Sequence, residues 1–566
     1  KKEYKKQTWN SFQKDIMARF EKTTDNIMVK ARAGTGKTTL IYGLVATAPS
    51  SKKGVTDEGV GMVFQMEKPK REPYKITILA FNRHIADEIK ESGKIPKRAK
   101  VNTAHGMAYG ILCRKFAGEL VVDDEKSILN HLTKKVVNEI GEQRSAYDRL
   151  QTELKLAQYR EDEEQVSKIQ DAIDAQPKPP QLQNKETEFR RYLADLVGFA
   201  QKCLVNDPEE LEAVDEHYGI TEKYEEDDEG NGLSEIALKG AKDAVFEILD
   251  TIETIAREEK RVSFDSMLWL IWKWNLSVPK RDLLIVDEAQ DANPAQLNLY
   301  QAFEKEGARI ICVGDPKQAI QGFAGADHRA WEKLSESFDA VEMPLAQCFR
   351  CDRAILDLAQ KVVPDIEPFH DGGEIAVVAK NKVVENLQAG DTLISRKNAP
   401  LMGFCLKTIQ AGFSAKIRGR NVGSEIAQMA GKYTRYHEGQ TMFDMSECES
   451  KERKRIVALK SEMKDTQAEN VQDKLECIKF CHQEWGDMEI RAFKRSILSL
   501  FDDEGKPQIT YATIHRSKGD EAERIWILGS NWLPFHHKNM KNWQQEQEKN
   551  LLYVALTRAK HSLFFV

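Results

Sequence analysis

The feature that most constrains this chain is a short turn, Gly34-Thr35-Gly36-Lys37-Thr38. It is preceded by the apolar, β-prone run Asn26-Ile27-Met28-Val29-Lys30 and followed by a helix-prone stretch. A strand that turns through glycines into a helix gathers backbone N–H groups and the positive end of the helix dipole at one point, which makes a cradle for phosphate. Within it Lys37 is expected to reach the β- and γ-phosphates of a nucleotide, and the Thr38 hydroxyl to ligate Mg²⁺. The candidate nucleotide-binding set is Ala33, Gly34, Thr35, Gly36, Lys37, Thr38 and Thr39, with Ala31 where the general pattern has glycine. Such a loop belongs in a parallel α/β sheet.

The rest of the chain fits that architecture. Ile76–Phe81 reads as a second strand, followed by a helix over Arg83–Lys90. Leu283-Leu284-Ile285-Val286-Asp287 and Arg309–Asp315 are apolar runs that end in a carboxylate, as expected of buried parallel strands whose C-terminal ends face a ligand. Taken alone, the pair Asp287-Glu288 is an ordinary solvated loop. Downstream of a phosphate loop it becomes the candidate for holding Mg²⁺ (Asp287) and for orienting or deprotonating a water (Glu288). Further strands are expected at 508–513, 524–528 and 562–566.

Between these strands lie two helix-rich blocks. Residues 125–175 are long, charged and helix-prone, with apolar positions three and four apart, and Gln176-Pro177-Lys178-Pro179-Pro180 ends that helical run. A second charged, helix-prone block spans about 420–504. The expected fold is therefore α/β, two cores with parallel sheets, each carrying a mainly helical insert.

Composition limits the partners less than it first suggests. With 84 Lys and Arg against 90 Asp and Glu the net charge is −6. However, 207–229 alone holds twelve acidic residues and one lysine, so a cationic groove remains compatible with the rest. No apolar run approaches the ~20 residues that cross a bilayer. Nine scattered cysteines, an odd number, read as reduced thiols rather than a disulfide scaffold; a metal site would have to join the distant pairs Cys348/Cys351 and Cys477/Cys481. The start, Lys1-Lys2-Glu3-Tyr4, has no apolar leader, and a cytoplasmic location in a bacterial or phage-infected cell is expected.

Further segments resemble, in order, the motifs of UvrD/Rep-type superfamily 1 DNA helicases, and the resemblance runs through both cores. It implies two RecA-like P-loop motor domains: 1–115 with 262–339, and 340–419 with 505–566. The inserts would be 116–261 and 420–504. Ala31 is usual in that family. By the same resemblance, Gln13 in Trp9-Asn10-Ser11-Phe12-Gln13 reads the adenine edge. Gln318, in Gly314-Asp315-Pro316-Lys317-Gln318, senses the γ-phosphate. In Gln347-Cys348-Phe349-Arg350, Phe349 stacks on adenine and Arg350 faces the γ-phosphate. Glu521 contacts the ribose, and Arg558, in Tyr553-Val554-Ala555-Leu556-Thr557-Arg558, is a second arginine finger. Phe81, Asn82, Thr103, His105, Phe323, Thr513 and His515 match positions that touch single-stranded DNA. Two departures stand in the coupling segment: Gln321 where an aromatic is usual, and Ala324 in place of a frequent arginine.

The resemblance implies an ATP- and Mg²⁺-dependent helicase or translocase. It would move 3′→5′ on single-stranded DNA and unwind duplex at single-strand/duplex junctions, in replication, recombination or repair. An ATPase that displaces bound proteins with little unwinding is the alternative. A P-loop transferase would leave Arg350 and Arg558 unexplained, and an RNA track remains compatible with a groove that reads backbone and stacking. Lys37 and Asp287 are 250 positions apart, so the first insert is enlarged. Its stretch Tyr147–Asp174 is expected to form a helical hairpin that either braces duplex or docks a replication or repair protein. No membrane partner is expected. After Val566 no room is expected for a C-terminal nuclease domain.

Overall fold

The computed structural model describes residues 9–51, 73–123, 127–160, 162–175, 178–182, 185–226, 232–322, 325–327, 329–462, 464–503, 505–536 and 540–566. Two compact units emerge: Lys1–Thr103, Val278–Ala292 and Tyr300–Val566 form one, Ala104–Ser277 with Asn293–Leu299 the other.

The larger unit contains two six-stranded parallel sheets. In the first, the order is Ala99–Thr103, Ile76–Ala80, Leu283–Asp287, Arg309–Gly314, Ile27–Ala31, Val341–Leu345. Leu283–Asp287 and Ile76–Ala80 are buried along their whole length, as apolar strands covered on both faces must be. Parallel pairing brings the loops after Ile27–Ala31, Leu283–Asp287 and Arg309–Gly314 to one edge. The register Asp287–Val313 and Val313–Val29 sets the acid pair two strands from the phosphate loop. Val341–Leu345 lies beyond the expected boundary at 339, so the first core is longer than the sequence suggested. Pro344 hides this strand from a pattern reader, and an edge strand tolerates it because one side of its backbone has no ladder partner.

The second sheet runs Glu374–Val377, Ala559–Phe565, Ala522–Leu528, Thr392–Ser395, Ile509–Thr513, Ala415–Ile417. Beside it, Gln347–Asp352 pairs in parallel with Glu367–His370. The block at 420–504 forms the helices Arg420–Ala430, Met445–Ser461, Asp465–Trp485 and Ile490–Ser499. It also forms a hairpin, Thr434–His437 with Gln440–Phe443, whose turn places Glu438 and Gly439 at positive φ.

The smaller unit is helical. It extends beyond the expected 116–261 because Ala104–Lys115 and Ser266–Lys273 pack against each other. The helix-prone stretch 125–175 forms two helices, Ser127–Tyr159 and Glu163–Asp174, packed as a hairpin where one was expected over Tyr147–Asp174. The break falls ahead of the proline run because Asp162 caps the second helix, accepting from the Gln165 N–H at 3.1 Å. All nine cysteines are free thiols. Among the described residues no helix is long and apolar enough to cross a membrane.

Candidate nucleotide site

The phosphate loop leaves the Ile27–Ala31 strand and enters the Lys37–Thr47 helix through Gly34 (φ +67°) and Gly36 (φ +80°), both in the left-handed region that favours glycine. Gly34 is also required by space, since a Cβ there would lie 2.4 Å from Arg350 Cβ and 2.8 Å from Cys348 Sγ. The Thr35 hydroxyl donates to the Arg32 carbonyl at 2.8 Å and braces the turn. Thr38 and Thr39 are half-buried in the first helical turn.

The acid pair faces this loop. Glu288 has φ +51°, an uncommon conformation for a residue with a side chain, and its carboxylate forms an ion pair with Lys37. Burial, reinforced by the Glu288 charge, pushes Asp287 up to about 7. Burial would also raise Glu288, but Lys37 and Lys518 outweigh it and hold Glu288 down at about 2. Gln290 fixes the other Glu288 oxygen, donating to Oε2 at 2.6 Å while accepting from the Asp315 N–H at 3.0 Å. Gln318 is buried and donates to Asp315 Oδ2 at 2.9 Å.

Residues of the second core, on the Gln347–Asp352 strand and the Asn542–Leu556 helix, close over the loop. The Phe349 N–H donates to the Gly34 carbonyl at 2.8 Å, and the Ala33 N–H donates to the Tyr553 hydroxyl at 3.0 Å. Arg350 pairs with Glu521 at 2.5 Å and donates to the Thr557 carbonyl at 3.3 Å. Arg558 is buried and turned onto its own core: it donates to the carbonyls of Val554 and Asp520, both at 3.0 Å, and to the Thr557 hydroxyl at 3.4 Å. Burial, aided by the Arg350 charge, pushes it down to about 10, and Glu288 lies within its electrostatic reach. Lys518 pairs with Asp291 and donates to the Gln318 carbonyl at 2.7 Å, so a second cation from this core reaches the acid side.

Gln13 is buried in a mutual cap with Asn10. Its Nε2 lies 3.4 Å from where a Cβ on Gly36 would stand, at the loop's own helix. The Phe349 ring meets Phe369 at 4.7 Å and 50°, and Phe369 is itself exposed. Arg32, Lys518, Tyr553 and Phe369 were not candidates from sequence. Arg32 lies inside the phosphate-loop turn, Tyr553 inside a quoted motif and Lys518 between the candidates His515 and Glu521, whereas no local pattern marked Phe369.

Residues expected to touch DNA fall into several places. Exposed Phe81 follows Ala80, whose register partner is Thr103, so these two sit at adjacent strand ends; Asn82 caps the next helix, accepting from the Ile85 N–H at 2.9 Å. Thr513 ends the strand beside Ser395, and burial, with the Arg396 charge, pushes His515 down to about 3. His105, in the helical unit, stacks on Phe264 at 3.9 Å and 14°, and burial pushes it down to about 4. Phe323 and Ala324 lie outside the described residues.

Two six-stranded parallel sheets, one bearing a glycine-rich phosphate loop with Arg350 of the second core seated against it, define a two-core P-loop fold with RecA-like domains. Residues 9–339 match the UvrD/REP helicase N-terminal domain, and the chain belongs to that family. It is similar to the RecBCD enzyme subunit RecB of Mycobacterium tuberculosis (strain ATCC 25618 / H37Rv), 40% identical over 84 residues, 15% of this chain and 8% of that protein. It is similar to the ATP-dependent DNA helicase srs2 of Schizosaccharomyces pombe, 28% identical over 138 residues, 24% of this chain and 16% of that one. Its similarity to the F-box DNA helicase protein 1 of the same yeast is 27% over 319 residues, half of this chain and 34% of the relative. The chain thus matches no more than about a third of the length of these relatives.

Proposed function

We propose that this chain is an ATP-driven motor that moves 3′→5′ along single-stranded DNA and separates duplex at single-strand/duplex junctions, in replication, recombination or repair. The observation that carries the reading is the seating of the Gln347–Asp352 strand on the phosphate loop, with Arg350 against Gly34. An arginine that joins the site from a second core makes turnover conditional on closure, an effect of about 10³–10⁵ where measured in related chemistry.

Each residue has a stated part. Lys37 exchanges its Glu288 partner for the β/γ-phosphates, and Glu288, which keeps the Lys518 charge nearby, is freed to orient and deprotonate the attacking water. Asp287 and Thr38 offer the oxygen donors that suit Mg²⁺, and a buried carboxylate pushed up to about 7 is a donor that gains from a cation beside it. Bound there, Mg²⁺ would neutralise phosphate charge. Gln318 senses the γ-phosphate, Phe349 stacks on adenine, Gln13 reads its edge, and Glu521 contacts the ribose. Phe81, Asn82, Thr103, His105, Thr513 and His515, together with Phe323, hold the strand, aromatic stacking contributing roughly 1–3 kcal/mol per base. Opening a base-pair step costs a mean of about 1.4 kcal/mol, within reach of one ATP per step. Docking of a replication or repair protein on the first insert belongs to the same proposal.

Turnover of ATP with and without oligo-dT tests the motor. Wild type should be strongly stimulated and Lys37→Ala should fall to background; turnover indifferent to oligo-dT would favour a transferase. Duplexes with a single-strand tail test direction: unwinding from a 5′ tail alone overturns the polarity. Displacement of streptavidin without unwinding selects the protein-displacing alternative.

A further inference from the structure

Arg32 lies in the phosphate loop but touches carboxylates from both cores. It is 4% exposed, and its guanidinium makes three charged hydrogen bonds. One nitrogen donates to Asp315 Oδ1 at 2.8 Å. Nε and the remaining nitrogen donate to Asp365 Oδ1 at 2.9 Å and Oδ2 at 2.6 Å, a two-pronged pair with fixed geometry.

The two carboxylates differ in what stands behind them. Asp315 is fully buried after the Arg309–Gly314 strand of the first core, and also accepts from the Lys317 N–H at 3.1 Å and from Gln318 Nε2 at 2.9 Å. Asp365 precedes the Glu367–His370 strand, and its neighbours Val363 and Ile366 are buried with Ile394, Ile525 and Leu563 of the second sheet. Its own side chain is 55% exposed. One chain of hydrogen bonds therefore runs Asp365–Arg32–Asp315–Gln318, from the second core through the phosphate loop to the residue assigned to the γ-phosphate.

We infer that Arg32 and Asp365 are positioning residues that make the placement of Gln318 depend on closure of the two cores. The inference rests on the nucleotide reading of the site. When the second core withdraws, Arg32 loses two of its three bonds and, held by Asp315 alone, no longer fixes the plane of that carboxylate toward Gln318. When the cores close, the fork re-forms and Gln318 is aimed. Asp365 is the partner to test: its removal leaves Arg32 neutralised by Asp315 and disturbs a side chain already half in water.

The test uses the full chain carrying Asp365→Ala or Asp365→Glu. With saturating oligo-dT, Asp365→Ala should lower kcat about tenfold, the loss a small misalignment of a catalytic group brings, with KM for ATP changed by less than about twofold. Asp365→Glu, which keeps the charge and the fork, should recover most of kcat. Independently of activity, amide hydrogen exchange across 316–321 should quicken in Asp365→Ala, because the Lys317 N–H bonds to Asp315. A kcat unchanged in Asp365→Ala, a KM that rises in step with the fall in kcat, or a glutamate variant no better than alanine overturns the inference. So does unaltered exchange at 316–321, a reading that stands even if the wild type hydrolyses no ATP and the nucleotide assignment itself has failed.

Discussion

The two helical inserts are made of similar charged helices, yet they end as different kinds of object. The first, together with its flanking helices, is a compact unit of its own, with Phe189, Tyr192, Leu193 and Leu196 on one helix buried and packed toward the Glu235–Glu258 helix. The second is continuous with the second sheet: Phe443, Cys448, Leu475 and Phe493 share a core with Leu393, Ile417, Tyr511 and Trp526. Asp473, on an insert helix, caps the Asn398–Gln410 helix of the core, accepting from the Asn398 and Ala399 N–H groups at 2.8 Å each. The difference teaches that an insert's independence depends on where its apolar face finds cover. A block that closes on its own helices carries its own core, whereas one that completes the second sheet's core shares that sheet's stability.

The largest expected effect separates the two directly. Phe493 is fully buried and stacks on Phe443 at 4.5 Å and 10°, so Phe493→Ala should cost about 3–5 kcal/mol of the motor unit's stability. Calorimetry should show the transition that carries ATP turnover move down. Phe189→Ala, equally buried in the first insert, should lower a separate transition by a similar energy and spare turnover. If Phe493→Ala melts on its own while turnover survives, the second insert is an independent body and the contrast is broken.

A smaller effect sharpens the same point. Asp473→Ala removes the cap from the Asn398–Gln410 helix and should destabilise the motor unit by about 1–2 kcal/mol, read as a shift in denaturation midpoint with unchanged slope.

The smallest at neutral pH is a pH effect confined to the helical unit. His105 is pushed down to about 4 by burial, below the ~6.5 of an unfolded chain, so it is neutral when folded while the unfolded state takes up a proton first. Its contribution is flat above about pH 6.5, and stability is lost as pH falls from there toward 4. His105→Gln should remove that part of the acid sensitivity of the helical unit's transition; identical pH profiles for the two proteins would refute it.

Legibility followed the range of the interaction. Leu283–Asp287 was readable to the residue because a fully buried strand must be apolar throughout. Ala99–Thr103 and Thr392–Ser395 were missed: the first alternates with the polar Lys100 and Asn102, and the second is four residues long. The phosphate loop was legible because its glycines and lysine are adjacent in the chain. Phe369 and Asp365 were not, since each matters only through a side chain met across the fold.

What the sequence by itself determined is the local chemistry: where backbone N–H groups gather for phosphate, where two carboxylates end a strand, and which blocks are helical, all set by steric and dipolar rules acting over a few residues. Only the tertiary structure decided that Arg558 is held on carbonyls of its own core, that Arg32 is shared between two cores, and that one insert is a compact unit and the other part of the second sheet's core. Those outcomes depend on which distant surfaces must cover one another to leave water, a choice made by the whole chain.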